Sequence, residues 1–165
     1  MKRFLLTLFA LQTLLATSAV VAQPEYVTIE MEIDVAEPAE QVWASIGGYC
    51  DISEWLGLDC ELTSGDGNMG TVRALASGRI LEILVAQTEL SYGYTQPAPE
   101  GGAFYNLYHG FLEAKPVSAT SSKLLYTLLL DVSNLSDQAA KDENIARRRG
   151  SFENALANMK EIAEQ

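Results

Sequence analysis

The chain carries one long amphipathic segment, and it comes last. From Ser136 or Asp137, either of which can cap a helix, Ile145, Phe152, Leu156, Met159 and Ile162 recur at near-helical spacing among charged residues. Most of the chain before it reads as strand. A sheet of that size has an apolar face that must be covered, and this segment is the only element large enough to do so. Gly150 interrupts it. There it is either a weak point, costing up to about 1 kcal/mol against Ala, or a place of close approach to another element.

The strands are legible from period and punctuation. Residues 26–35 alternate, with Val27, Ile29, Met31, Ile33 and Val35 on one face and Thr28, Glu30, Glu32 and Asp34 on the other. Pro38 opens a short helix, with Glu37 and Glu40 near its positive end. Val42, Trp43 and Ile46 give that helix an apolar face before Gly47-Gly48 ends it. A second short helix over 51–56 carries Ile52, Trp55 and Leu56. Ser64-Gly65-Asp66-Gly67 then separates strands 58–63 and 71–76, and Ser77-Gly78 leads into 79–87. A turn near Thr88-Glu89 precedes 90–95, and a longer loop holds Pro97, Pro99, Gly101 and Gly102. Strands 104–114 and 123–131 follow, joined by a loop rich in Ser and Thr around Pro116. The pattern predicts an α+β fold: about seven antiparallel strands in sequence order, two short helices after the first, and a long C-terminal helix. A sheet curved around that helix would leave a cavity between them, the natural ligand site.

The N-terminus reads as a targeting segment. Met1-Lys2-Arg3 is basic, residues 4–15 are almost wholly apolar, and residues 16–22 are small and apolar. Residues 1–22 therefore read as a cleavable secretory signal, leaving a single domain over 23–165. The competing reading is an uncleaved anchor, since 4–22 could just span a bilayer. No other stretch could span, so no stable membrane insertion is expected after cleavage. The expected location is periplasmic or secreted. In such a compartment Cys50 and Cys60 form either a disulfide or two separate buried thiols, and the bond is favoured.

Charge and composition close off several functions. Lys and Arg number 11 against 22 Asp and Glu, a net charge of −11. That balance excludes nucleic-acid binding and docking on anionic membranes as leading functions. One His and two Cys cannot build a His-based metal site, so neither metal nor cofactor is expected. Residues 65–70 match G-x-G-x-x-G, but a strand pattern follows rather than a helix, so they read as a hairpin loop. His109 lacks a nucleophile motif beside it and reads as a surface residue. Arg147-Arg148-Arg149 is a basic run in an acidic chain. Glu143 and Glu153 stand four residues from Arg147 and Arg149, so helix-surface pairs suffice for it; a partner patch is the other reading.

Tyr92, Tyr94, Tyr105, Tyr108 and Tyr126 fall on strands, where alternation turns some inward. If Ser77-Gly78 is a two-residue hairpin loop, Arg73 faces Glu82 across two strands, with Leu75 and Ile80 on the same face. Periodicity alone leaves open whether that face points to the cavity or to solvent, since Leu81, Ile83 and Val85 make the opposite face apolar too.

Several short features, in order, resemble a known family. Pro38-Ala39-Glu40-Gln41-Val42-Trp43 opens the first helix and Trp55 closes the second. Gly70-Thr71-Val72-Arg73, Glu82, Tyr92, Tyr108 before Pro116, Tyr126, and Ala155-Leu156-Ala157-Asn158-Met159 follow. Together they resemble the START/Bet v 1-like (SRPBCC) superfamily, above all its polyketide cyclase/dehydrase and lipid-transport group in periplasmic form. The resemblance implies a helix-grip fold. It also implies that Arg73 and Glu82 polarise the cavity and that Tyr92, Tyr108 and Tyr126 line it. An apolar grip would come from Leu124, Leu128, Leu130, Phe152, Leu156 and Met159. Three functions fit. The first is an exported binding protein or carrier for a small hydrophobic or amphipathic molecule. The second is a cyclase/dehydrase enzyme with Glu82 or a tyrosine as general acid or base. The third is an accessory protein acting on a periplasmic protein partner. The fold alone does not choose among them.

Overall fold

The computed structural model describes residues 23–97 and 107–165. The expected signal segment, the start of the strand expected from 104, and Tyr105 lie outside these residues. The element order is β1 (Tyr26–Val35), α1 (Ala39–Ile46), α2 (Ile52–Leu56), β2 (Cys60–Ser64), β3 (Val72–Leu75), β4 (Ile80–Gln87), β5 (Ser91–Thr95), β6 (Tyr108–Ser118), β7 (Ser121–Asp131) and α3 (Gln138–Ala163). Seven antiparallel strands form one sheet in the order β1-β7-β6-β5-β4-β3-β2. The first strand closes against the last, so the sheet runs in sequence order apart from that one crossing.

Each helix begins where its chemistry allows. Pro38 caps α1, where a missing N–H costs nothing. Asp137 caps α3 by accepting from the Ala140 N–H at 2.9 Å. The helix buries only its later turns, through Phe152, Ala155, Leu156 and Met159. A Cβ on Gly150 would meet open space, so that glycine serves no close approach. α3 packs on β1, α1 and α2. The Asn158 amide donates to the Trp55 carbonyl at 3.0 Å, tying α2 to α3.

The β3–β4 turn fixes the register that matters for the site. The chain turns over residues 76–79, where Ala76, Ser77 and Gly78 all take left-handed φ (52°, 58° and 80°). Leu75 then pairs with Ile80 and Arg73 with Glu82.

Elsewhere the strand ends differ from expectation. β2 starts at Cys60 rather than residue 58. β6 continues through Pro116 to Ser118, and β7 begins at Ser121, so the expected loop is a two-residue turn. Pro116 is accommodated because a register shift follows it at the strand end. The Ser118 and Ser121 hydroxyls, 2.7 Å apart, close that turn.

The inner face of the sheet is mostly filled. Ile29, Met31, Leu112, Leu124, Tyr126, Leu128 and Leu130 are buried against Val42, Ile46, Trp55 and the later turns of α3. Gly110 has no side chain because the Tyr94 ring lies where its Cβ would be. That vacancy lets Tyr94 lie across β6 toward Tyr126.

Candidate functional site

A cavity of about 250 Å³ opens between the β3–β5 end of the sheet and the middle of α3. Three stretches build it. Ile52, Leu56 and Leu58 come from α2 and the chain after it. Leu75, Ile80, Glu82, Tyr94, Gln96 and Tyr108 come from the sheet, and Arg148, Ser151 and Phe152 from α3. One side is thus aliphatic and aromatic, and the other carries a carboxylate, an amide and a guanidinium.

Behind the cavity wall sits Arg73, paired with Glu82 on the wall. Arg73 is fully buried and Glu82 is 2% exposed, so their shared face is the inner one. Arg73 Nε donates to Glu82 Oε2 at 2.7 Å, one guanidinium terminal nitrogen donates to the same oxygen, and the other donates to the Tyr49 carbonyl. Gln96 Nε2 donates to Glu82 Oε1 at 2.7 Å, so both carboxylate oxygens are engaged. The guanidinium also lies over the Tyr49 ring at 4.1 Å and within reach of the Tyr94 ring at 5.2 Å. Burial opposes the charge on Arg73. Glu82, with help from the surrounding tyrosines, outweighs that opposition and raises its pKa above the ordinary guanidinium value.

The phenols are held neutral. Burial raises the pKa of Tyr49, Tyr92, Tyr94 and Tyr126, and for Tyr94 and Tyr126 the rise is large. The Tyr94 and Tyr126 hydroxyls are hydrogen-bonded to each other at 2.9 Å. Such groups orient a ligand or a neighbour; they are poor proton donors in a reaction near neutral pH.

The residues singled out from the sequence separate into two sets. Glu82, Tyr108 and Phe152 line the cavity. Arg73, Tyr92, Tyr126, Leu128, Leu156 and Met159 do not line it and stand in the packed interior, as do Leu124 and Leu130. Tyr92 packs against Trp43 and Tyr49, and Tyr126 against Phe152 at 4.5 Å between ring centres. The interior is filled here because large aromatic rings from β5 and β7 meet α1 and α3 directly.

His109 lies on the outer face, half-buried beside Phe111. Among the described residues no cluster of His, Cys, Asp or Glu could hold a metal. No helix among them is long and apolar enough to cross a membrane. Cys50 and Cys60 are bonded, with Cα atoms 5.5 Å apart. The loop they close contains Ile52, Leu56 and Leu58, one whole side of the cavity.

Arg148 is the site residue that sequence reasoning passed over. The basic run reads as helix surface, and Arg149 does pair with Glu153 at 3.7 Å. Of the two expected pairs, only that one forms among the described residues. Arg148 instead turns to the cavity, with its guanidinium 5.2 Å from the centre of the Tyr108 ring. The available signal was its spacing: Ile145, Arg148, Phe152, Ala155 and Met159 follow one another at three- and four-residue steps, so Arg148 occupies a place in the inward stripe.

A curved sheet gripping a terminal helix, with a cavity between them, defines the helix-grip class of small-molecule-binding folds. Within that class residues 26–164 match the polyketide cyclase/dehydrase and lipid-transport family, and the chain belongs to it. Solved structures agree on the fold. A Thermobifida fusca protein is similar with a TM-score of 0.69 at 23% identity, covering 82% of this chain and 92% of that one. XoxI from Bacillus cereus is similar with a TM-score of 0.64 at 21% identity, over 81% and 93%. The Bet v 1-like protein Ara h 8.0201 gives 0.59 at 17%, over 82% and 98%. No curated protein matches the chain. The family fold points to binding of a hydrophobic small molecule.

Proposed function

We propose that the protein is an exported binding protein or carrier that holds a small hydrophobic or amphipathic molecule in the cavity between sheet and α3. The observation that carries this reading is the cavity's two-sided wall, with apolar side chains from α2 and β3 facing a few polar groups. The state of Glu82 favours binding over acid–base catalysis, since Arg73 and Gln96 occupy both its oxygens. Export is supported by the basic-then-apolar N-terminus and by the bonded cysteines.

The test is native mass spectrometry of the full chain expressed with its own leader and recovered from the periplasm. The expected species begins at Gln23 and carries a small organic adduct. Leu58→Trp, which fills the cavity from the half-buried position 58, should lose the adduct and keep the fold by circular dichroism. An adduct retained by Leu58→Trp would place binding elsewhere. Turnover of added compounds without any stable adduct would favour the enzyme instead, and a stoichiometric protein bound in its place would favour an accessory role.

A further inference from the structure

We propose that the cavity takes a small neutral molecule bearing a hydroxyl group, a single-ring alcohol or phenol, and that Gln96 recognises the hydroxyl by accepting its hydrogen. This rests on the ligand-binding reading above and adds the ligand's polar group and size. The polar group follows from one amide held one way round. Gln96 lines the cavity together with Glu82. Glu82, ion-paired with Arg73, is a carboxylate and has only lone pairs to offer. Gln96 must therefore present its nitrogen to Glu82, and Nε2 donates to Oε1 at 2.7 Å. The two branches of an amide point apart, so Gln96 Oε1 is turned away from the carboxylate. No donor among the described residues meets it. The buried ion pair thus fixes, through Gln96, a hydrogen-bond acceptor on the cavity wall.

The other polar groups of the wall are largely committed. Neither of its charged groups, Glu82 and Arg148, is without a partner in the protein. A charged ligand would therefore give up its water with no unengaged counter-charge in return. The Ser151 hydroxyl donates to the Arg147 carbonyl at 3.0 Å, which leaves its oxygen as a second acceptor. Tyr94 adds the complementary half. Its hydroxyl and that of Tyr126, 2.9 Å apart, share one hydrogen bond, which spends one of their two protons. With Tyr126 donating, the Tyr94 O–H is left for a ligand oxygen. Tyr94 lines the cavity two residues before Gln96, and the Gln96 N–H still bonds the next strand, so both side chains share the inner face. A hydroxyl gives a hydrogen to Gln96 and takes one from Tyr94, which an ether or a ketone cannot do. Size comes from the volume. About 250 Å³ exceeds the roughly 150 Å³ cavity that encloses benzene and falls short of the roughly 300–1,000 Å³ of sites for drug-sized molecules. One ring with a short arm fits, against Ile52, Leu58 and Phe152.

The experiment is isothermal titration of the cleaved full chain with four ligands of one frame: 3-phenylpropanol, its methyl ether, 3-phenylpropanoate and 3-phenylpropylamine. The alcohol should bind about tenfold more tightly than the ether, the difference that one well-made hydrogen bond supplies, and both charged ligands should bind more weakly than the alcohol. In heteronuclear NMR the alcohol should shift the Gln96 side-chain amide resonances further than the ether does. Arg73→Met, Glu82→Leu and Gln96→Met made together remove the amide along with the ion pair that orients it, so no bare carboxylate is left to accept in its place. That variant should bring the alcohol-to-ether ratio to about one; should it fail to fold by circular dichroism, the titrations and amide resonances of the wild-type protein decide alone. Equal binding of alcohol and ether, equal shifts of the Gln96 resonances by the two, tighter binding of the acid or the amine, or a preference that survives in the triple variant would overturn the hydroxyl assignment while the ligand-binding reading stands. Failure of all four ligands, alongside an adduct whose mass shows a larger molecule, would overturn the size assignment and leave the binding reading intact. Failure of all four with no adduct would overturn both.

Discussion

Arg73 and Arg148 face the same interior from opposite sides, and the protein treats them differently. Arg73, on β3, is sealed from solvent, salt-bridged to Glu82, bonded to the Tyr49 carbonyl and stacked over an aromatic ring. Arg148, on α3, is half-buried on a cavity wall with the Tyr108 ring beneath it. The first has no freedom left and is part of the scaffold. The second stands on the cavity wall. The same side chain is thus sealed into the scaffold when it extends from a central strand toward its partner on the next strand, and partly exposed when it extends from the helix onto the cavity wall. Substitutions that strand, loosen or remove each member measure how far the two differ.

The largest effect should come from stranding the buried cation. Glu82→Leu leaves the Arg73 guanidinium without its partner and should destabilise the protein by about 3–5 kcal/mol, read as a lowered urea midpoint. Arg73→Met combined with Glu82→Leu should recover most of that loss, because two apolar chains of similar volume remove both desolvation costs. If the single and double variants were equally stable as wild type, the pair would not be the scaffold element the comparison requires.

Opening the Cys50–Cys60 loop should come next. The disulfide spans ten positions of sequence, and closing such a loop is worth about 2.5–3 kcal/mol in the chain-entropy model. It also holds both regions together, since Tyr49, whose carbonyl accepts from Arg73, precedes Cys50, and the closed loop carries the cavity's aliphatic side. The unfolding free energies read from urea midpoints with and without reductant should therefore differ by about that amount. Hydrogen exchange should show α2 opening first, while β6 and β7 keep their protection. Uniform loss across the sheet would mean the loop is not a separate unit.

How much of this was legible in the sequence follows the same division. The register placing Arg73 opposite Glu82 was readable because centring the hairpin on Ser77-Gly78 sets the pairing, and the observed turn, though it also takes in left-handed Ala76, keeps that centre. β1 and α1 were readable because strict alternation and a Pro-led start are local signals. The face occupied by the pair was not, since both faces of β4 carry aliphatic residues and only the tertiary packing of Tyr49 and Tyr94 decides it. Nor was the division between packed interior and cavity. Tyr92, Tyr126 and Met159 point inward as expected of their strands and helix, but whether inward means filled or open depends on the volumes that meet there. Arg148 does not stand out because a run of three arginines on a helix has an adequate explanation in surface pairs, even though it falls four residues before Phe152 on the inward stripe.

A smaller effect should appear at high pH, and it bears on the scaffold side alone. Burial raises the pKa of Tyr94 and Tyr126 well above the ordinary value of 10.0. Their protonated forms are therefore favoured in the folded state, and the stability this contributes is fully present below pH 10 and lost as pH rises toward the folded values. Each phenol that ionises only on unfolding should cost about 1.4 kcal/mol per pH unit above 10. Thermal unfolding followed between pH 8 and pH 11 should show the melting temperature falling above pH 10, with tyrosinate absorbance of these residues appearing only with unfolding. Replacing Tyr126 with Phe should make the fall shallower.

The smallest stability effect should belong to Arg148, and it is the one that separates the two arginines. Removing Arg73 alone empties a sealed site and leaves Glu82 buried without its counter-charge, so Arg73→Met should approach the cost of Glu82→Leu. Arg148→Met keeps a side chain of similar length on the helix and keeps apolar contact with Tyr108. Among what it gives up is a cation over an aromatic ring at a half-buried position, worth about 0.5–1 kcal/mol, partly offset by the apolar replacement beside Phe152. The stability read from its urea midpoint should therefore fall by clearly less than in Arg73→Met. A loss near that of Arg73→Met would show that Arg148 is a second scaffold arginine and that the two do not differ as their burial suggests.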